Sequence, residues 1–210
     1  CAPDEFYERL IIFAKEHDII IIHDNAYSDI IYTRKQGRSF LSFDGAKEVG
    51  VEFYSLSKSF NLTGARISFV VGNKQIINKL KVFRSQIDYG VFLPVQYAAI
   101  AALTGPLDVV EEQRQEYEKR NKMLCGGLRS IGWDVPDSQG TMFVWAKIPG
   151  KYKSSVEFCL DLMEKTGVIV TPGNAFGSRG EGYVRMALVV GEETISELLS
   201  VLEESNIFSK

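Results

Sequence analysis

Apolar positions recur at helical spacing at the start of the chain, where Phe6, Leu10 and Phe13 share one face of residues 3–17. Pro3 stands near the beginning, and Asp4 and Glu5 fall in the first turn, where the helix dipole favours negative charge. This predicts an amphipathic helix. It leads into residues 19–22, an unbroken run of isoleucines without alternation. Such a run predicts a strand covered on both faces, with His23 and Asp24 at its carboxyl end. Residues 51–56 and 67–71 are further short apolar segments, the second closed by Gly72. Ile76, Ile77, Leu80 and Phe83 predict a helix over 74–87, and Pro94 opens another that includes 98–103. After Pro106, the positions of Val110, Gln113, Tyr117, Leu124, Leu128 and Ile131 predict a helix of about seven turns. Gly126 and Gly127 are expected to weaken its far end by about 1 kcal/mol each and to kink or stop it there.

Beyond that helix the pattern predicts a strand at 142–147 and a helix opened by the capping box Ser154-Ser155-Val156-Glu157 and stopped at Gly167. A strand at 168–171, a glycine-rich loop over 172–182 read as mobile, a strand at 183–189 and a helix over 192–204 complete the chain. Alternating strands and helices make the fold class α/β. The pattern changes near Pro106, so 1–105 and 106–210 are read as parts of two domains, the second a mixture of strands and helices distinct from the first.

Composition narrows the function classes. Hydrophobic residues are 45% and charged residues 24% of the 210, an ordinary globular balance that excludes disorder, collagen and coiled coil. The net charge of −3 supplies no field for nucleic acid or an anionic membrane, so neither is expected as a partner. Cys1, Cys125 and Cys159 are too few and oddly numbered for a disulfide framework, which suits a reducing, cytoplasmic compartment. No run approaches the ~18 apolar residues of a membrane span, and no signal peptide is read. A chain that starts at Cys1 with helix-forming sequence reads as part of something longer.

Candidate chemistry is densest over residues 55–66, Ser-Leu-Ser-Lys-Ser-Phe-Asn-Leu-Thr-Gly-Ala-Arg. Hydroxyls and an amine leave one strand end, an arginine precedes the next strand, and Asp24 and Tyr27 follow a third. Ligands in open α/β sheets bind at strand carboxyl ends, and this set suits an anionic, phosphorylated cofactor held by a lysine. Singly, each residue also has an ordinary surface or turn role.

Three separated motifs then resemble the fold-type I aminotransferases dependent on pyridoxal phosphate: Asp24-Asn25-Ala26-Tyr27, Ser55-x-Ser57-Lys58 with Gly64-x-Arg66, and Phe176-Gly177-x-x-Gly180-Glu181-x-Tyr183-x-Arg185. The resemblance implies a large domain with a mixed, mainly parallel sheet and helices on both faces, of which this chain carries the later part, plus a small α+β carboxyl-terminal domain. It implies that Lys58 forms the Schiff base with pyridoxal 5'-phosphate and later shuttles a proton. By the same resemblance Asp24 pairs with the pyridinium nitrogen and Tyr27 donates to the ring oxygen. Ser55 and Arg66 bind the phosphate, and Arg185 takes the substrate α-carboxylate bidentately. Residues 86–92, Gln-Ile-Asp-Tyr-Gly-Val-Phe, resemble the branch of diaminopimelate, aspartate and alanine aminotransferases.

Ser68 stands where the family commonly has glycine. The family's glycine-rich phosphate helix, ring-stacking aromatic, ring-oxygen asparagine and partner-subunit tyrosine have no counterpart. The chain is therefore expected to be the later half of a homodimeric enzyme, to bind cofactor weakly by itself and to leave an open hydrophobic sheet edge for another chain or swapped strands to cover.

Two other readings compete with this one. Ser55-x-x-Lys58 with Lys165-Thr166-Gly167 also fits the serine-lysine set of penicillin-binding proteins, but Ser-Asp-Asn is missing and the second element falls at a predicted helix end. An aminotransferase-like effector-binding domain of a transcription regulator is the alternative without catalysis. Gly177, Gly180 and Gly182 lack nucleotide-binding spacing, and His17 and His23 make a poor metal site.

Overall fold

Strand β2 (Gly50–Ser55) organises the first half of the chain, with β1 (Ile21–Asp24) parallel on one side and β3 (Ser68–Gly72) antiparallel on the other. The sheet is therefore mixed. The structure, a computed structural model, describes residues 1–33 and 37–208. These form two compact units, Cys1–Arg114 and Gln115–Lys210.

In the first unit α1 (Asp4–Glu16) starts after Pro3, as the acidic first turn predicts, and buries Ile11 and Ala14. Ile11 joins Phe40, Phe43 and Ala46 in a core that Tyr7, Ile21, Leu41 and Val49 flank. Phe40 lies in a 3-10 turn, Ala46 opens the short α2 (Ala46–Val49), and Tyr7 stacks on Phe43 at 5.1 Å. Beyond β2 come α3 (Leu56–Ser59), α4 (Lys74–Ser85) and α5 (Leu93–Thr104). Asn73 caps α4 through its side-chain oxygen.

The expectation that 19–22 is covered on both faces is corrected. The strand begins at Ile21, and Ile20 and Ile22 are 60% and 68% exposed. Ile21 faces the core, but its neighbours point to the opposite face of a strand that, among the described residues, pairs only with β2.

Helix α6 (Asp108–Ser130) contains the boundary between the units and does not stop at its glycines. Gly127 has a packing reason instead: a Cβ there would stand 2.3 Å from the Leu199 side chain.

In the second unit β4 (Phe143–Lys147), β6 (Tyr183–Ala187) and β5 (Thr171–Pro172) form an antiparallel sheet in the order β4-β6-β5. Val144, Ala146, Val184 and Met186 alternate into the core with Phe158 and Leu162 of α7 (Ser155–Thr166) and Ile195 and Leu202 of α8 (Glu192–Glu204). Trp133 stacks on Phe208 at 4.6 Å and donates from Nε1 to the Lys147 carbonyl. The predicted strand at 168–171 shrinks to a two-residue β5, with Ile169 79% exposed, because that apolar run is not on the core side.

Ser154 Oγ accepts from the Glu157 amide, while the Glu157 carboxylate reaches the amide of Lys153, one residue earlier than in a standard capping box. The glycine-rich segment is not a slack loop. It folds into 3-10 turns over Gly173–Phe176 and Ser178–Gly180. A Cβ on Gly173 would lie 2.1 Å from the Gly180 carbonyl oxygen, so the two backbones touch where only glycine fits. Ser155 N and Gly182 N both donate to Glu181 Oε1, which fastens the segment to the start of α7.

Candidate active site at the end of the first sheet

The register of β1 and β2 places Asp24 opposite Phe53, and the Asn25 amide adds one further rung to the Phe53 carbonyl at 2.8 Å. Two residues later β2 ends at Ser55, whose Oγ accepts from the Ser57 amide and so starts α3, the turn that carries Lys58. Strand β3 returns with Ser68 opposite Ser55. Everything between is hung on this edge: Thr63 Oγ1 donates to the Ser57 carbonyl, and Arg66 Nη1 donates to the Thr63 carbonyl. Asp24, Ser55, Lys58 and Arg66 thus gather at one edge of one sheet. Tyr27 follows Asp24 in a turn closed by the Ile30 amide and anchored by the fully buried Ile30 side chain.

Asp24 and Arg66 are exposed, and Tyr27, Ser55 and Lys58 are half-buried. Arg66 holds a left-handed backbone at φ 52°, which is uncommon outside glycine and turns its guanidinium back along the loop. Ser68, the departure from the family pattern, is exposed at the first position of β3.

Neither Asp24 nor Lys58 has a hydrogen-bonding or ionic partner among the described residues. A free carboxylate, a free amine, a hydroxyl and a guanidinium at one sheet edge match the ring nitrogen, aldehyde and phosphate of pyridoxal phosphate in charge and donor type. The residues present therefore fit that group.

Two partly buried arrangements behind this edge belong to no contiguous motif. Glu52 is 5% exposed on β2. Its Oε2 accepts from His23 Nδ1, Ser39 Oγ and Phe40 N, and its Oε1 accepts from Asn25 Nδ2. Burial alone pushes this carboxyl up, but the donors led by His23 outweigh it and hold Glu52 below the usual carboxylate range. The available signal was a charged residue inside an apolar strand segment, opposite a histidine. The second arrangement joins Tyr54, Ser59 and Asp29, with both hydroxyls donating to Asp29 Oδ2. Burial and the Asp29 carboxylate push the Tyr54 hydroxyl above its ordinary range.

In the second unit Arg185 stands on β6 opposite Trp145 and Thr171. Its guanidinium carbon is 4.2 Å from the Phe143 ring centre and 4.3 Å from that of Phe176. The two rings hold the cation by its faces and leave its edge donors unpartnered among the described residues. Lys165 and Thr166 end α7, with Gly167 as its left-handed cap and Lys165 paired to Asp161. The penicillin-binding reading therefore loses the strand it requires. Among the described residues no single helix is long and apolar enough to cross a membrane.

Comparison with known proteins gives a consistent result. The family model for aminotransferase class I and II matches residues 1–202. An LL-diaminopimelate aminotransferase of Halothermothrix orenii is 50% identical over 206 residues, which cover 98% of this chain and 53% of that protein. The glutamate-pyruvate aminotransferase AlaC of Escherichia coli is 41% identical over 201 residues, 95% of this chain and 49% of its own length. Among solved structures, apo-BacF from Bacillus subtilis superposes with a TM-score of 0.94 at 37% identity, covering all of this chain and 53% of that one. An aromatic aminotransferase from Pyrococcus horikoshii gives 0.91 at 30% identity, over 98% of this chain and 56% of that one. The chain spans about half the length of the curated relatives it matches.

Proposed function

Because this chain belongs to the class I and II aminotransferases, we propose that it supplies the lysine side of an active site that moves an amino group between an amino acid and a 2-oxo acid. The observation that carries this reading is the gathering of Asp24, Ser55, Lys58 and Arg66 at one sheet edge, with the carboxylate and the amine both unpartnered among the described residues. When bound, pyridoxal 5'-phosphate supplies an electron-accepting ring that stabilises negative charge at the substrate α-carbon.

The chain's own residues do the rest. Lys58 Nζ would hold the cofactor covalently and carry a proton afterwards. Asp24 keeps the ring nitrogen protonated, and Tyr27 donates to the ring oxygen. The Ser55 hydroxyl and the Arg66 fork hold the phosphate. Arg185, kept flat between Phe143 and Phe176, receives the substrate α-carboxylate. The family resemblance supports a homodimer, and the free cysteines support a cytoplasmic setting. The relatives named for LL-diaminopimelate and for glutamate and pyruvate support amino acids and their 2-oxo acids as the substrate class.

The family's glycine-rich phosphate helix and ring-stacking aromatic have no counterpart in these 210 residues, so capture of cofactor by the chain alone is expected to be weak. Reductive trapping suits weak capture. Pyridoxal phosphate is added, borohydride fixes it where it sits on an amine, and the modified lysines are mapped by mass spectrometry. The expected result is Lys58 labelled ahead of the other lysines. Labelling spread over surface lysines with no excess at Lys58 overturns the reading.

A further inference from the structure

We propose that Glu52 is a positioning residue for Asp24, acting through the two side chains that flank it, His23 and Asn25. The inference rests on the reading of Asp24 as partner of the cofactor's ring nitrogen.

Side chains along a strand alternate between faces. His23 and Asn25 therefore leave β1 on one side and Asp24 on the other. Glu52 is the register partner of His23 on the neighbouring strand. Its carboxylate is bonded to His23 Nδ1 at 2.9 Å and to Asn25 Nδ2 at 3.0 Å, so it grips the residue before Asp24 and the residue after it. The grip is itself fixed. The Phe40 amide at 2.7 Å and Ser39 Oγ at 3.0 Å add two further donors to Oε2, and the His23 ring meets the edge of Tyr7 at 5.6 Å.

This matters because of where Asp24 lies. It is the last residue of a strand that, among the described residues, has one partner, and beyond it Asn25 N adds a rung to the Phe53 carbonyl. Strand ends held by so few bonds open readily. Pinning both neighbours from the core side fixes the backbone at Asp24 and so the direction in which its carboxylate leaves the opposite face. An apolar side chain at position 52 would satisfy packing alone. A buried carboxylate has a desolvation cost that only a full set of donors offsets.

The test uses the 210-residue chain, with reductive trapping at Lys58 as the readout. The probes are pyridoxal phosphate and its 1-deaza analogue, in which the ring nitrogen is replaced by CH. Glu52→Gln keeps the shape and removes the charge that both flanking donors address. It is expected to raise the pyridoxal phosphate concentration for half-maximal labelling by about tenfold, the equivalent of one hydrogen bond to a charged group. The same change is expected to shift the 1-deaza analogue by less than about twofold and to add nothing in an Asp24→Asn background, since coupled sites are not additive. Asn25→Ala and His23→Phe each cut one arm and should reproduce part of the shift, with the same dependence on the ring nitrogen. They carry the test if Glu52→Gln does not fold.

Equal losses for both probes, or additive losses with Asp24→Asn, overturn the proposal and leave Glu52 as a fold residue. A wild-type chain that shows no preference for Lys58 overturns the functional reading and takes this inference with it.

Discussion

Ser59 Oγ donates to Asp29 Oδ2 at 2.6 Å, joining the turn after β1 to the turn that carries Lys58. Asp29 lies two residues beyond Tyr27, and Ser59 is the residue after Lys58, so a single carboxylate ties together the two segments that hold the candidate cofactor residues. Tyr54 donates to the same oxygen from β2.

Ser59→Ala removes a donor that is 1% exposed and leaves Asp29 with one partner fewer. The expected cost is about 1.5–3 kcal/mol in urea unfolding, the range for a hydrogen bond to a charged group. The variant should also label more slowly at Lys58 in the trapping assay.

Glu52 makes stability fall in acid. Its carboxyl ionises below its ordinary 4.5 in the folded chain, chiefly because the donors from His23, Asn25, Ser39 and Phe40 overcome the effect of burial. The unfolded chain therefore binds a proton first as pH drops. The contribution of Glu52 is complete above about 4.5 and is lost as pH falls toward its folded value. Unfolding free energy measured below pH 4.5 should decline more steeply in wild type than in Glu52→Gln.

Adjacent glycines in α6 should respond differently to alanine. A Cβ at Gly126 meets nothing within 4 Å, so Gly126→Ala is expected to stabilise by up to about 1 kcal/mol through helix propensity. At Gly127 the new methyl drives into Leu199, and the repacking of about 1–3 kcal/mol offsets that gain. Chemical denaturation of the two variants should place Gly127→Ala below Gly126→Ala.

Cys125 is fully buried, and burial followed by the Asp137 charge pushes its thiol up to about 11. At about pH 8 only about one such thiol in a thousand is ionised. Iodoacetamide should modify the exposed Cys1 promptly and reach Cys125 only after denaturant is added.

The helices and the Ser55 to Arg66 cluster were legible because their signals are local: apolar spacing, caps and contiguous motifs. What failed was information held across strands. An isoleucine run marks a strand but not what lies on its faces, so the exposure of Ile20 and Ile22 is not legible in it. Glu52, inside Val51-Glu52-Phe53, looks like an interruption until the β1–β2 register sets it beside His23. Asp29 and Ser59 are thirty positions apart and belong to no spacing pattern. The shortened β5 failed in the opposite way, since residues 168–171 are apolar without facing the core. Arg185 illustrates a partial case: its motif marks the position, whereas the aromatic clamp of Phe143 and Phe176 depends on tertiary packing.

The uncovered side of β1 has a consequence for handling the protein. Ile20 and Ile22 are exposed just before and on a strand that, among the described residues, is paired on one side only, the arrangement from which edge-to-edge association nucleates. Shelf life in solution should then depend on concentration more than on heat: light scattering should grow faster than linearly with protein concentration at temperatures where circular dichroism still reports a folded chain. A lysine at position 22 should delay that scattering without moving the melting midpoint, because its charge lies on the side the core does not use.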